Sequence, residues 1–221
     1  MRMLELFCGA GVGADGYHAA GFDEIVGVDI NPQPDYPYRF FKRDALEALD
    51  DLVATGDIHV YDAIHASPPC QAHTRAKHLR TAQAGASKYP DLLTPTLELL
   101  RDVTIPWVVE NVPGAPGMEG AVVECGSSYG LGVRRHRMFK SNIPLVGSVC
   151  DHKAQGRPWG VYHVMNDQVP QGGRTVRTLE QGWEVMGVNR EIPWKSLKEG
   201  FPPAYTRHIG SQILTWLDSK E

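Results

Sequence analysis

Arg2-Met3-Leu4-Glu5-Leu6-Phe7-Cys8-Gly9-Ala10-Gly11-Val12-Gly13-Ala14 opens the chain. Arg2 to Phe7 reads as a short buried strand, and the glycines after it as a turn into a helix that runs through about Ala20. A glycine turn in that position lets a ligand approach the backbone, and the helix N-terminus beyond it favours negative charge. Read literally, Gly9-Ala10-Gly11-Val12-Gly13-Ala14 satisfies G-x-G-x-x-A, and Asp29 follows Gly9 by twenty residues, where a ribose-binding acid is expected. A nicotinamide enzyme is therefore one reading of this stretch and a purely structural turn another. Asp29 and Asp44 favour a ligand, because carboxylates at strand ends can hold ribose hydroxyls and an adenine amine.

The rest of the chain repeats the alternation. Ile25 to Ile30 is a second apolar strand, broken by Asn31-Pro32-Gln33-Pro34-Asp35. Asp44 to Leu52 reads as a helix with Asp44 as its N-cap. Tyr61 to Ala66 is a third strand, stopped by Ser67-Pro68-Pro69. Leu92 to Arg101 is a helix, and Trp107-Val108-Val109 a further strand ending at Glu110-Asn111. Strands alternating with helices predict an α/β domain with a mainly parallel sheet. From about Ser141 to Thr178 periodicity is poor, which suggests a small irregular lobe. Helical patterns resume at Leu179 to Met186 and, after Phe201-Pro202-Pro203, at Ile209 to Leu217.

With 221 residues, 42% hydrophobic and 22% charged, the chain has the makings of one folded domain plus a small lobe. No apolar run is long enough to span a bilayer, and the first residues lack a signal-peptide layout, so a cytoplasmic protein away from membranes is expected. Four cysteines (Cys8, Cys70, Cys125, Cys150) do not make a disulfide scaffold at this length. A net charge of −4 excludes a globally basic nucleic-acid binder. The distribution is lopsided: residues 1–60 carry four Lys/Arg against eleven Asp/Glu, and residues 134–177 carry eight against two. Basic side chains also crowd residues 71–90 (Arg75, Lys77, Arg80, Lys88), so a polyanion would be met on one side only.

Four groups carry potential chemistry. Ser67-Pro68-Pro69-Cys70-Gln71 puts Cys70 just beyond a strand carboxyl end, where open α/β sheets bind ligands and a stabilised thiolate is nucleophilic. Glu110 leaves a hydrophobic strand at the same edge, where desolvation should raise its pKa and make it a proton donor. Arg134-Arg135-His136-Arg137 offers fixed positive charge for a phosphate or a polar base edge. Cys125, Cys150 and His152 raise the question of zinc, but only three ligands are visible and the Cys-x-His spacing is unusual, so no metal is expected.

Taken in order, these residues resemble the DNA cytosine-5 methyltransferase family. Leu6-Phe7-Cys8-Gly9-Ala10-Gly11 resembles its S-adenosylmethionine-binding opening, Pro68-Pro69-Cys70-Gln71 its catalytic loop and Glu110-Asn111-Val112 its glutamate motif. Arg135-His136-Arg137 resembles its paired-arginine motif. Phe201-Pro202-Pro203-Ala204-Tyr205 with Ile209-Gly210-Ser211-Gln212-Ile213 resembles its closing motif. The resemblance implies a Rossmann-like methyltransferase fold, S-adenosyl-L-methionine as cofactor and double-stranded DNA as substrate. It implies that Cys70, Glu110, Arg135 and Arg137 are catalytic, and that Phe7, Gly9, Gly11, Asp29, Ile30, Asp44, Ala45, Pro68 and Ser211 hold the cofactor. The residues from His73 to Lys88 would close over the DNA. Residues 1–140 and 179–221 would form the catalytic domain, and 141–178 a reduced target-recognition lobe in which Gly172-Gly173-Arg174-Thr175 and Arg177 could touch the DNA backbone.

The chain departs from the family pattern at three points. Ser211 stands where the closing motif has Asn, the paired arginines lack a preceding Gln, and Lys140 to Thr178 is shorter than forty residues. A lobe so small implies short or relaxed sequence specificity, as would suit a bacteriophage or mobile-element enzyme, and a monomer is expected. It also leaves three alternatives: RNA or a free nucleotide as substrate, a donated group other than methyl, or a non-catalytic DNA-binding subunit of a two-chain enzyme.

Overall fold

The computed structural model describes residues 1–70, 90–161 and 174–220. Five parallel strands form the body of one sheet: β1 (Arg2–Leu6), β2 (Glu24–Asp29), β3 (Arg39–Lys42), β4 (Ala63–Ala66) and β5 (Trp107–Asn111). Two more, β6 (Val122–Glu124) and β7 (Arg137–Ser141), complete it, with β7 antiparallel to both β5 and β6. The order is β3-β2-β1-β4-β5-β7-β6. The expected α/β fold with a mainly parallel sheet is thus present. Strand β3, which follows a proline-rich stretch, and the short β6 and β7 have no distinct pattern in the sequence.

Strand alternation sorts the core into two layers. On one face Leu4, Leu6, Val26, Val28, Ile64 and Val109 pack under α2 (Ala45–Thr55) and α3 (Leu93–Leu100). On the other, Met3, Ile25, Ala63 and Val108 pack under α1 (Val12–Ala20) and a long C-terminal helix, Pro203–Asp218. That helix begins six residues before the expected Ile209, because Pro203 at its first turn needs no N–H partner there. Asp44 caps α2 as expected, its Oδ1 accepting from Leu46 N at 2.8 Å and Glu47 N at 3.2 Å.

Among the described residues, three short helices lie between β7 and the C-terminal helix: α4 (His152–Gln155), α5 (Leu179–Met186) and α6 (Trp194–Glu199). The C-terminal helix is therefore α7. A two-stranded pair, β8 (Trp159–Gly160) with β9 (Arg174–Thr175), belongs to the same region. A third hydrophobic cluster joins Val133, Val161 and Val176 to Val185, Met186, Ile192 and Leu197. The irregular lobe therefore shares its apolar contacts with the chain that follows Thr178. No helix among the described residues is long and apolar enough to cross a membrane.

Candidate active site

The strand order reverses between β1 and β4. From β1 the chain works outward through β2 to β3, and from β4 it works the other way through β5. Ligands of open α/β sheets bind at the carboxyl ends beside such a reversal. Here the glycine turn leaves β1, and Ser67-Pro68-Pro69-Cys70 leaves its neighbour β4, with Leu6 and Ala66 in register.

The turn is built from left-handed backbone: Phe7 has φ 55°, Gly9 51° and Gly11 74°. Such an angle is costly for a side chain as large as that of Phe7. A Cβ on Gly11 would come within 2.8 Å of the Tyr36 ring, whereas one on Gly9 would meet open space. Asp29 ends β2 beside the turn, accepting from Gly9 N at 3.1 Å and Asn31 N at 2.8 Å. Next to it Ile30 is 58% exposed, unusual for a large apolar side chain at a strand end. Asp44 and the buried Ala45 follow β3 at the same edge, and Pro68 is buried at the end of β4.

The other half of the site is gathered from three strands. Glu110 lies on β5, buried, with Oε1 2.8 Å from the Nε of Arg137. Arg137 reaches it because β7 runs antiparallel, so the start of β7 lies where the parallel strands end. Arg137 Nη1 also donates to the His136 carbonyl at 2.9 Å. Arg135, with φ 40°, is buried and donates to the Lys198 carbonyl. Asn111 ties β5 to the cysteine loop, its Nδ2 donating to the Pro68 carbonyl at 3.1 Å and its Oδ1 accepting from Val112 N at 2.9 Å.

Burial pushes the Glu110 carboxyl up, against the pull of Arg137 and a hydrogen bond from Ser67. Burial also pushes the Cys70 thiol up; Arg137 pulls it down and the Glu110 charge adds to the rise. The thiol thus shares one electrostatic neighbourhood with Glu110, Arg137 and Arg135. Behind Glu110 runs a buried chain that sequence reading missed. Tyr17 Oη is 2.9 Å from His65 Nδ1, and His65 Nε2 is 2.8 Å from Ser67 Oγ. Arg190 was missed as well: it donates to the Ala10 carbonyl, to Asp15 Oδ2 at 2.8 Å and to the Asp35 carbonyl at 2.9 Å, clamping the glycine turn from outside.

Ser211 is not brought to the turn. It lies on the exposed side of α7, and its hydroxyl donates to the Arg207 carbonyl at 2.9 Å. Helix α7 meets the turn earlier, where Thr206 Oγ1 donates to the Gly13 carbonyl at 2.8 Å. Arg174 stacks over the Trp159 ring at 5.3 Å. The segment from His73 to Lys88, and Gly172 with Gly173, lie outside the described residues.

The model of the C-5 cytosine-specific DNA methylase family matches residues 1–121, more than half of the chain. The chain belongs to that family. The match takes in the glycine turn, Cys70 and Glu110 of this family member but ends before Arg135 and Arg137. Among solved structures, an E. coli prophage-encoded protein described as a DNA modification methyltransferase is similar at 18% identity, with a TM-score of 0.47. The alignment covers 76% of this chain and 56% of that one, so this chain spans little more than half the length of the structure it matches. No curated protein matches significantly.

The family uses S-adenosyl-L-methionine. The described residues fit that group: an open left-handed turn at Gly9, an acid at the end of β2 and an exposed apolar Ile30 beside it.

Proposed function

We propose that this protein is a DNA (cytosine-5-)-methyltransferase acting on a cytosine turned out of double-stranded DNA. The observation that carries this reading is the buried Glu110–Arg137 pair sharing its surroundings with Cys70, one strand away from the glycine turn. A cytosine within the stack exposes neither face to attack, so the base must leave the duplex.

Phe7, Gly9, Gly11, Asp29, Ile30, Asp44, Ala45 and Pro68 would hold S-adenosyl-L-methionine, which supplies an electrophilic methyl group. The Cys70 sulfur, once deprotonated, adds to C6 of the cytosine, and the electron pair of the C5–C6 double bond moves toward C5. Glu110, whose carboxyl burial pushes up, would pass a proton to N3 and hold the exocyclic amine. Arg137, fixed by Glu110, is placed for the cytosine O2. Arg135 is placed for a nearby phosphate or for orienting Glu110. After C5 is methylated, its proton passes to solvent, the C5–C6 double bond re-forms, Cys70 leaves as its thiolate and the N3 proton returns to Glu110. The raised thiol pKa makes the resting side chain a neutral thiol, so deprotonation belongs to the DNA-bound complex.

Residues 1–140 and 179–221 would be the catalytic body, and 141–178 a reduced lobe whose Arg174 and Arg177 face the duplex. Trapping tests this. A duplex carrying 5-fluorocytosine, with cofactor, should form a covalent adduct with the intact protein. Cys70→Ala should give neither adduct nor methyl transfer. Methyl incorporation into DNA, RNA and dCMP measured side by side should favour DNA; incorporation into RNA or dCMP alone would move the substrate. Absence of adduct and of incorporation with every substrate would defeat the proposal.

A further inference from the structure

Beside the paired arginines, four side chains from separate stretches of chain converge. Cys125 follows β6, His136 precedes β7, Cys150 closes an irregular stretch and His152 begins α4. Their ligand atoms all lie within 4.8 Å of one another. Cys125 Sγ is 3.3 Å from His152 Nε2, and Cys150 Sγ is 3.4 Å from His136 Nε2. The two imidazoles meet edge to face, with ring centroids 5.1 Å apart.

These separations can be set against a metal's demands. Zinc bonds of about 2.3 Å to sulfur and about 2.0–2.1 Å to nitrogen, at tetrahedral angles, place neighbouring ligand atoms roughly 3.3–3.8 Å apart. The two sulfur–nitrogen distances already fall at that spacing. Two thiols and two imidazoles select a borderline-soft cation over magnesium or calcium, and a full set of four protein ligands leaves no open position for catalysis. We propose that Cys125, His136, Cys150 and His152 form a structural zinc site.

The surroundings support a tether at this point. Residues 144–151 form neither helix nor strand, and Val146 and Val149 are 71% and 86% exposed, so little apolar burial holds the segment. Its hydrogen bonds hold Val146 to His208 and Gln212 of α7, Ser148 to Glu124, and the Val149 carbonyl to Ser128 Oγ at 2.8 Å. Ser127 Oγ sits 3.1 Å from the Cys125 sulfur and accepts from Asp151 N at 3.1 Å, so the turn after Cys125 already orients both limbs of the cluster. His136 gives the site its consequence. It lies between Arg135 and Arg137, so a metal held there pins the backbone between the two arginines. Three of the four ligands are conspicuous in the sequence; His136 is concealed within the basic run.

Metal content tests the site without any assay of methyl transfer, so it stands or falls apart from the proposed activity. Full-length protein purified under reducing conditions without chelator should carry about one zinc per chain by mass spectrometry. Cobalt replacing it should show the visible absorption of a tetrahedral ion and a thiolate-to-cobalt charge-transfer band. Cys150→Ser and His152→Ala, both on the less buried limb, should each lose the metal while keeping the circular dichroism of the parent. Cys70→Ser should retain it. A reduced, folded wild-type chain that takes up neither zinc nor cobalt would overturn the proposal, as would full metal content in both ligand variants. A Cys125–Cys150 disulfide in metal-free protein would overturn it too.

Discussion

Glu5 and His65 are buried ionisable side chains on adjacent strands, and burial moves them in opposite directions. Glu5 accepts from Tyr36 Oη at 2.9 Å, yet desolvation pushes its carboxyl from 4.5 up to about 8. Desolvation takes His65 from 6.5 down to about 3. Between pH 4.5 and 8 the unfolded chain has lost the Glu5 proton that the folded chain keeps, so Glu5 makes stability fall as pH rises. Between pH 3 and 6.5 the unfolded chain holds a His65 proton that the folded chain refuses, so His65 makes stability rise with pH. The two oppose each other from 4.5 to 6.5, and above 6.5 only Glu5 is left, with a limiting slope of about 1.4 kcal/mol per pH unit. Glu5→Gln should remove that decline, which denaturant melts at pH 6.5 and 8 would show; an unchanged slope would mean that Glu5 is ionised in the fold. At the site itself, Glu110→Gln should slow methyl transfer roughly 10²–10⁴-fold, the range of a lost general acid, while leaving cofactor affinity in calorimetry nearly unaltered.

At the scale of elements, the tightest joint is between α1 and α7. A Cβ on Gly16 would lie 2.1 Å from both the Pro203 carbonyl and Thr206 Oγ1. Backbone cannot give way as a side-chain tip can, so Gly16→Ala should destabilise the fold by about 1–3 kcal/mol despite its gain in helix propensity. Asp44→Ala should cost about 1 kcal/mol through the lost cap of α2. Both are read from urea midpoints at unchanged m. Strand β7 shows why Arg137 could be named from the sequence but its meeting with Glu110 could not. Arg137-Met138-Phe139-Lys140-Ser141 has one fully buried apolar residue and no apolar run, so nothing local marks it as a strand. Its pairing with β5 forms it, and that same pairing delivers Arg137 to Glu110.

For the whole molecule, Arg190 is the joint between the third hydrophobic cluster and the half of the sheet that carries the glycine turn. It follows Val188 and precedes Ile192, both in that cluster, and its guanidinium spans Ala10, Asp15 and Asp35. Arg190→Ala should lower stability by about 1–3 kcal/mol, the scale of charged hydrogen bonds lost from a half-buried site, and loosen the glycine turn. Calorimetry should then record weaker S-adenosyl-L-methionine binding. Unchanged affinity would restrict Arg190 to holding the cluster in place.

The alternating strands and helices, the glycine turn and the positions of Cys70 and Glu110 were legible in the sequence, because each depends on local properties: apolar runs, backbone freedom and prolines that end strands. The Asp44 cap was legible for the same reason. The meeting of Arg137 with Glu110, the Tyr17–His65–Ser67 chain, the clamp of Arg190 and the approach of His136 to two cysteines were decided only in three dimensions. Each joins residues whose separation along the chain carries no periodic signal, and each exists because strand order and an antiparallel return bring distant segments to one edge of the sheet.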